Sequence, residues 1–97
     1  MGKHIEIVTY QLRTNQGKWY EFECAKDLEQ FIWDNFYTCK GGKIEEVFRI
    51  YEVYPATYES AEEHQLLRED IEVEYSVDQE FGDLIKQAEI EEIKGAA

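Results

Sequence analysis

The amino-acid sequence predicts an α+β domain: a mostly antiparallel four-stranded sheet, element order ββαβαβα, with two or three helices packed on it. Three observations carry that prediction. Thr14-Asn15-Gln16-Gly17 is turn chemistry between two runs rich in β-branched and aromatic residues. A helical stripe of Leu28, Phe31, Ile32, Phe36 and Cys39 ends at Gly41-Gly42. A long β-rich run closed by Pro55 follows, and later Ile71-Glu72-Val73-Glu74-Tyr75 alternates apolar with acidic.

Taken in order, residues 4–12 and 18–24 form an N-terminal hairpin. In its second strand a period of two places Tyr20, Phe22 and Cys24 on one face, with Trp19, Glu21 and Glu23 on the other. Asp27 is the expected cap of the first helix, with Gln30 as its capping-box partner, and the helix runs to about residue 39. The next strand spans about Lys43 to Tyr54. Ser60-Ala61-Glu62-Glu63 is a second capping box, predicting a short helix to about Arg68. Residues 71–75 then form the fourth strand, with Glu72 and Glu74 facing solvent. Helical spacing of Leu67, Ile71 and Tyr75 competes with that reading, and the alternation and β-branched residues favour the strand. Asp78 caps a last helix through about Ile93, with Phe81, Leu84, Ile85 and Ala88 inward. Gly82 weakens it by about 1 kcal/mol.

Ninety-seven residues suit one compact acidic domain, 1–97, without repeat or linker. Hydrophobic residues at 43% and aromatics at 14% separate the chain from disordered acidic tails. No apolar run approaches the ~20 residues of a membrane span, and the N-terminus lacks the apolar stretch of a secretory signal. Two cysteines make no disulfide framework, so reduced thiols in a cytoplasm are expected.

The chain carries little that resembles catalysis. His4, His64, Cys24 and Cys39 are the soft metal-ligand candidates, and none pair at ligand spacing. Both cysteines end apolar faces and are expected in the core. Gly41-Gly42-Lys43 lacks the pattern of a phosphate loop, and residues 78–83 lack that of a calcium loop. The expectation is a non-enzyme with no catalytic residue, metal or cofactor.

What stands out is charge. Ten basic against 22 acidic side chains give −12, beyond the roughly 2–8 that keeps a small domain soluble. Residues 1–26 carry +1, 27–58 carry −3, and 59–97 carry −10. The folded chain should therefore have one strongly negative side. Strand neighbours at i and i+2 project about 6.7 Å apart, close to the spacing of phosphates along a DNA strand. Glu72 and Glu74, flanked by Glu69 and Asp70, can imitate a short phosphate row, extended by Glu59, Glu62 and Glu63. Asp27, Glu29 and Asp34 offer a second line. A solvated surface is the plain alternative for these acids, and helix capping is the alternative for Asp27. Trp19, Trp33, Tyr54 and Tyr58 are available as interface anchors or as core.

In size, acidity, α+β pattern and uneven charge, the chain resembles the small phage-encoded anti-CRISPR proteins, above all the DNA mimics that block type I-F surveillance complexes. The resemblance covers the whole chain in general character and rests on no shared motif. It implies an inhibitor in the host bacterial cytoplasm that competes with target DNA for a basic surface of a CRISPR surveillance complex or other nucleic-acid-binding protein. Direct binding of nucleic acid is disfavoured by the same charge. Acidic nuclease immunity proteins share the acidity but are helical bundles. An adaptor binding through aromatics and, last, a small enzyme complete the alternatives.

Overall fold

The computed structural model describes residues 2–55 and 62–95. The elements are β1 (Lys3–Arg13), β2 (Trp19–Phe22), α1 (Ala25–Asp34), α2 (Phe36–Cys39), β3 (Lys43–Pro55), β4 (Glu62–Ser76) and α3 (Val77–Gly95). The strands form one antiparallel sheet in the order β2-β1-β3-β4. The predicted class, an α+β chain built on a four-stranded antiparallel sheet, is what the structure shows.

The β1–β2 turn follows its sequence chemistry. Gly17 takes φ 80°, open to glycine without strain. The Thr14 N–H donates to the Lys18 carbonyl at 2.8 Å, and the Thr14 hydroxyl accepts from the Lys18 N–H at 3.1 Å. The first helix differs from expectation at both ends. It begins at Ala25, with Cys24 as a cap that makes no side-chain bond, so Asp27 sits in the first turn, where its charge favours the helix dipole. It breaks at Asn35 (φ −133°, ψ 38°), whose side-chain amide donates to the Phe31 carbonyl at 3.0 Å. The short side chain thus competes for a helical acceptor, and α2 restarts beyond it.

The predicted helix through Arg68 is a correction: residues 62–68 belong to β4, while Ser60 and Ala61 lie outside the described residues. The capping box is a local signal. Pairing with β3, which matches Pro55 to Glu62, Val53 to His64 and Tyr51 to Leu66, overrides it. The competing helical reading of Leu67, Ile71 and Tyr75 falls with it.

At the start of α3, Ser76 rather than Asp78 acts as the cap: its hydroxyl accepts the Asp78 N–H at 3.2 Å. The Asp78 carboxylate instead accepts the Gly41 N–H at 3.1 Å, and the Val77 N–H donates to the Gly42 carbonyl at 3.1 Å. Gly41 holds φ 74°. A Cβ on Gly42 would stand 2.3 Å from the Arg13 carbonyl oxygen.

The helix-packed core is Leu12, Leu28, Ile32, Phe36, Cys39, Ile44, Val77, Ile85 and Ala88, with Tyr10, Phe22 and Tyr75 against it. Cys39 belongs to it, and burial pushes its thiol pKa up. Cys24, expected there too, is exposed. Every sheet residue in this cluster comes from one end of the strands. From Leu12 back to Lys3 the strand runs on for roughly 30 Å at the usual rise. The Cα radius of gyration is 17.8 Å, with extents of 60 × 27 × 20 Å; a compact domain of this length has about 12.5 Å. The chain is a helix-backed body with a three-stranded arm.

Directly paired residues share a face. Tyr10, Leu12, Ile44, Glu46, Val73 and Tyr75 face the helices, whereas Thr9, Val47, Arg49 and Glu69 are on the open face. Pairing passes from Glu46–Val73 to Val47–Ile71, leaving Glu72 as a bulge, and from Ile50–Arg68 to Tyr51–Leu66, leaving Leu67. The even alternation expected at 71–75 is therefore interrupted. Ile71 and Val73 take opposite faces and both are exposed.

Candidate functional site

Six of the acids expected to contact a partner, Glu62, Glu63, Glu69, Asp70, Glu72 and Glu74, stand on β4, the outer strand of the sheet. Glu59 and Tyr58 lie outside the described residues. The strand does not present a uniform row. Glu62, Glu69 and Glu74 share the open face, Glu63 and Asp70 the helix side, and Glu72 occupies the bulge. Three of them are matched by cations. Arg49 Nε lies 2.7 Å from Glu69, Arg68 Nε 2.5 Å from Asp70, and Lys43 Nζ 3.5 Å from Glu74. Glu62, Glu63 and Glu72 form no ion pair with a described residue.

Arg49 is the electrostatic centre of the open face. It also contacts Glu21 and donates to the Thr9 hydroxyl. The Arg49 hydrogen bond holds the Glu21 carboxyl below the usual range, and the two carboxylates raise the guanidinium pKa in turn. At the far end of this face Glu45 pairs across the strands with Glu74. Desolvation, then hydrogen bonding and repulsion from Glu74, raise the Glu45 pKa. On the helix side, burial with Glu46 and Glu80 nearby pushes the Tyr75 phenol to about 12.

Asp27, Glu29 and Asp34 are exposed on α1, which packs toward β1, β2 and α3, so they form no line with β4. Asp34 does meet other acids. With Glu91 and Glu92 of α3 it rims an open groove of about 530 Å³ whose wall includes Trp33, Phe36, Tyr37 and Ala88. The α3 acids were absent from the predicted contact residues, though the charge count of the C-terminal segment contained them. Glu91 and Glu92 follow Ala88 at helical spacing of three and four, so they extend the Phe81, Leu84, Ile85 and Ala88 stripe by one turn with carboxylates, and that continuation was the available signal. Across residues 62–95, β4 and α3 together carry twelve acids against three bases.

His4, His64, Cys24 and Cys39 are on β1, β4, the α1 cap and α2, and among the described residues no group of three or more His, Cys, Asp or Glu could hold a metal ion. No helix among these residues is long and apolar enough to cross a membrane. Compared with protein-family models, curated proteins and solved structures, the chain finds no significant match.

Proposed function

We propose that this chain is a non-catalytic inhibitor that offers carboxylates in place of DNA phosphates to the basic surface of a nucleic-acid-handling complex, as the anti-CRISPR DNA mimics it resembles do. One observation carries the reading: the C-terminal acid surplus falls on an outer strand and the helix that leaves it, twelve acids against three bases. Glu62, Glu63 and Glu72 are available to a partner's arginines and lysines, while Glu69, Asp70 and Glu74 are engaged within the sheet. Exposed carboxylates on a fixed scaffold attract a basic clamp over a Debye length of about 8–10 Å, and the attraction weakens with salt. The groove between Trp33 and Glu91 suits one guanidinium, which stacks on an aromatic face beside a carboxylate.

The test uses a purified type I-F surveillance complex and its target duplex. The expected result is that the chain displaces the duplex, with affinity falling steeply as salt rises. Lysine at Glu62, Glu63 and Glu72 together should weaken competition at least tenfold while the melting temperature barely moves. Simultaneous binding of duplex and chain, with affinity flat in salt, would remove mimicry of this complex. The exposed Trp19 and Tyr37 favour a second reading, an adaptor held through aromatics. Salt-insensitive binding lost on Trp19→Ala or Tyr37→Ala would select it.

A further inference from the structure

We infer that the open face of the arm is covered in solution by the same face of a second copy of this chain. The face is apolar at its centre. Ile5 and Ile7 are each 38% exposed, Leu66 47% and Ile71 59%, set around the buried Val47 and Val53. Register places them, with Tyr51, on one surface across β1, β3 and β4. No helix-packed core residue lies behind this stretch of sheet, which explains the long molecular axis. A three-stranded antiparallel ribbon relies on an apolar face or a packed helix for independent stability. Covering such a face adds the burial of its apolar area, and nothing among the described residues covers this one.

Charge identifies the occupant. The open face of the whole sheet carries Lys3, Arg13, Lys43 and Arg49 against Glu21, Glu45, Glu62, Glu69 and Glu74, four bases and five acids, with Glu72 in the adjoining bulge. Arg49, Lys43 and their acid partners are already joined across the strands. The helix side of the same arm has Glu6, Glu52, Glu63 and Asp70 against Arg68 alone. Two copies of a chain carrying −12 repel, and that repulsion is weaker across the open face than across the helix side of the arm. A two-fold axis lets one self-complementary patch serve both partners. Three strands over the roughly 30 Å of the arm give a footprint of roughly 430 Å² per partner before side-chain relief is counted, at the low end of the size range, where associations are weak. Of the acids offered to a basic partner, Glu62 lies on this face, whereas Glu63 and the acids of α3 stay outside the contact, so the inference does not rest on the DNA-mimic reading.

Sedimentation equilibrium of the full chain tests it, from about 1 to 100 μM, a range that brackets a micromolar dissociation constant. The expected mass is twice 11.5 kDa, maintained in high salt. Ile7→Lys and Ile71→Lys should each raise the dissociation constant at least tenfold with an unchanged circular dichroism spectrum, and Val8→Lys, on the helix side, should leave it alone. If the lysine variants do not fold, Ile5→Ser at the end of the arm serves in their place. A wild-type chain that stays monomeric throughout overturns the inference. So does a dimer disrupted by Val8→Lys and not by the open-face variants. If the monomer instead binds a basic polypeptide such as polylysine, and Ile7→Lys abolishes that binding, the face belongs to a different partner and the inference is again wrong.

Discussion

Arg49→Met isolates the connection that runs across the whole sheet. Arg49 stands on β3, Glu69 on β4, Thr9 on β1 and Glu21 on β2, so one guanidinium joins all four strands. Its side chain is only 15% exposed, whereas the two carboxylates are about half exposed. Hydrogen bonds to charged groups contribute about 1.5–3 kcal/mol each when shielded, and water around the acids lowers each toward the ~0.5–1 kcal/mol of a surface pair. Methionine preserves the apolar stem, so the net loss should be about 1–2 kcal/mol. For a domain of this size that lowers Tm by roughly 4–15 °C. The pH dependence has a definite sign. The folded pKa of Glu21 is depressed, so its stabilisation is present above the ordinary carboxylate range and lost as pH falls through the folded value. Parent and variant melts, followed by circular dichroism at one protein concentration, should be well separated at about pH 7 and converge toward about pH 3. Arg68→Met, which removes a more exposed pair, should cost less than about 0.5 kcal/mol. A Tm loss below about 2 °C for Arg49→Met, well short of that range, or a gap that ignores pH, would refute the reasoning.

Glu45→Gln should stabilise the chain by a few tenths of a kcal/mol near pH 7, because like charges opposed across strands repel. The folded pKa of Glu45 is raised, so the parent carries this penalty when ionised and sheds it as pH falls through that value. Melts at about pH 7 and pH 4 should show the advantage shrinking. Gly42→Ala forces a methyl group into the Arg13 carbonyl and should cost more than about 2 kcal/mol in urea unfolding, while Gly82→Ala meets no atom and should gain up to about 1 kcal/mol. Equal effects at the two glycines would contradict the clash.

The hairpin and β3 were legible because their signals are local: Gly17 sets the turn, Gly41 ends the helical segment and Pro55 closes the strand. Asn35 was readable only as an interior residue of a helix expected to run to about residue 39, since its backbone bond depends on side-chain orientation. The segment 62–68 had a good local helix signal and a stronger distant competitor in β3. The acids of β4 were visible as acids. Their neutralisation by Lys43, Arg49 and Arg68 depends on strand register and on two bulges that no composition count contains. Glu91 and Glu92 could have been found by projecting residues 78–92 onto a helix and noting that carboxylates replace apolar residues where the Ile85 and Ala88 stripe continues.

The interruptions at Leu67 and Glu72 bear on the unpaired side of β4. An outermost strand of this length is ordinarily a template for fibre growth, because its free amides and carbonyls accept another strand. Here the ladder is divided into segments 62–66, 68–71 and 73–76, out of step with one another, so an incoming regular strand cannot follow all three. The same edge is lined with carboxylates, which set any second copy laid alongside against like charge. Growth by sheet extension is thereby blocked twice, by geometry and by charge, and only the second of these barriers yields to acid.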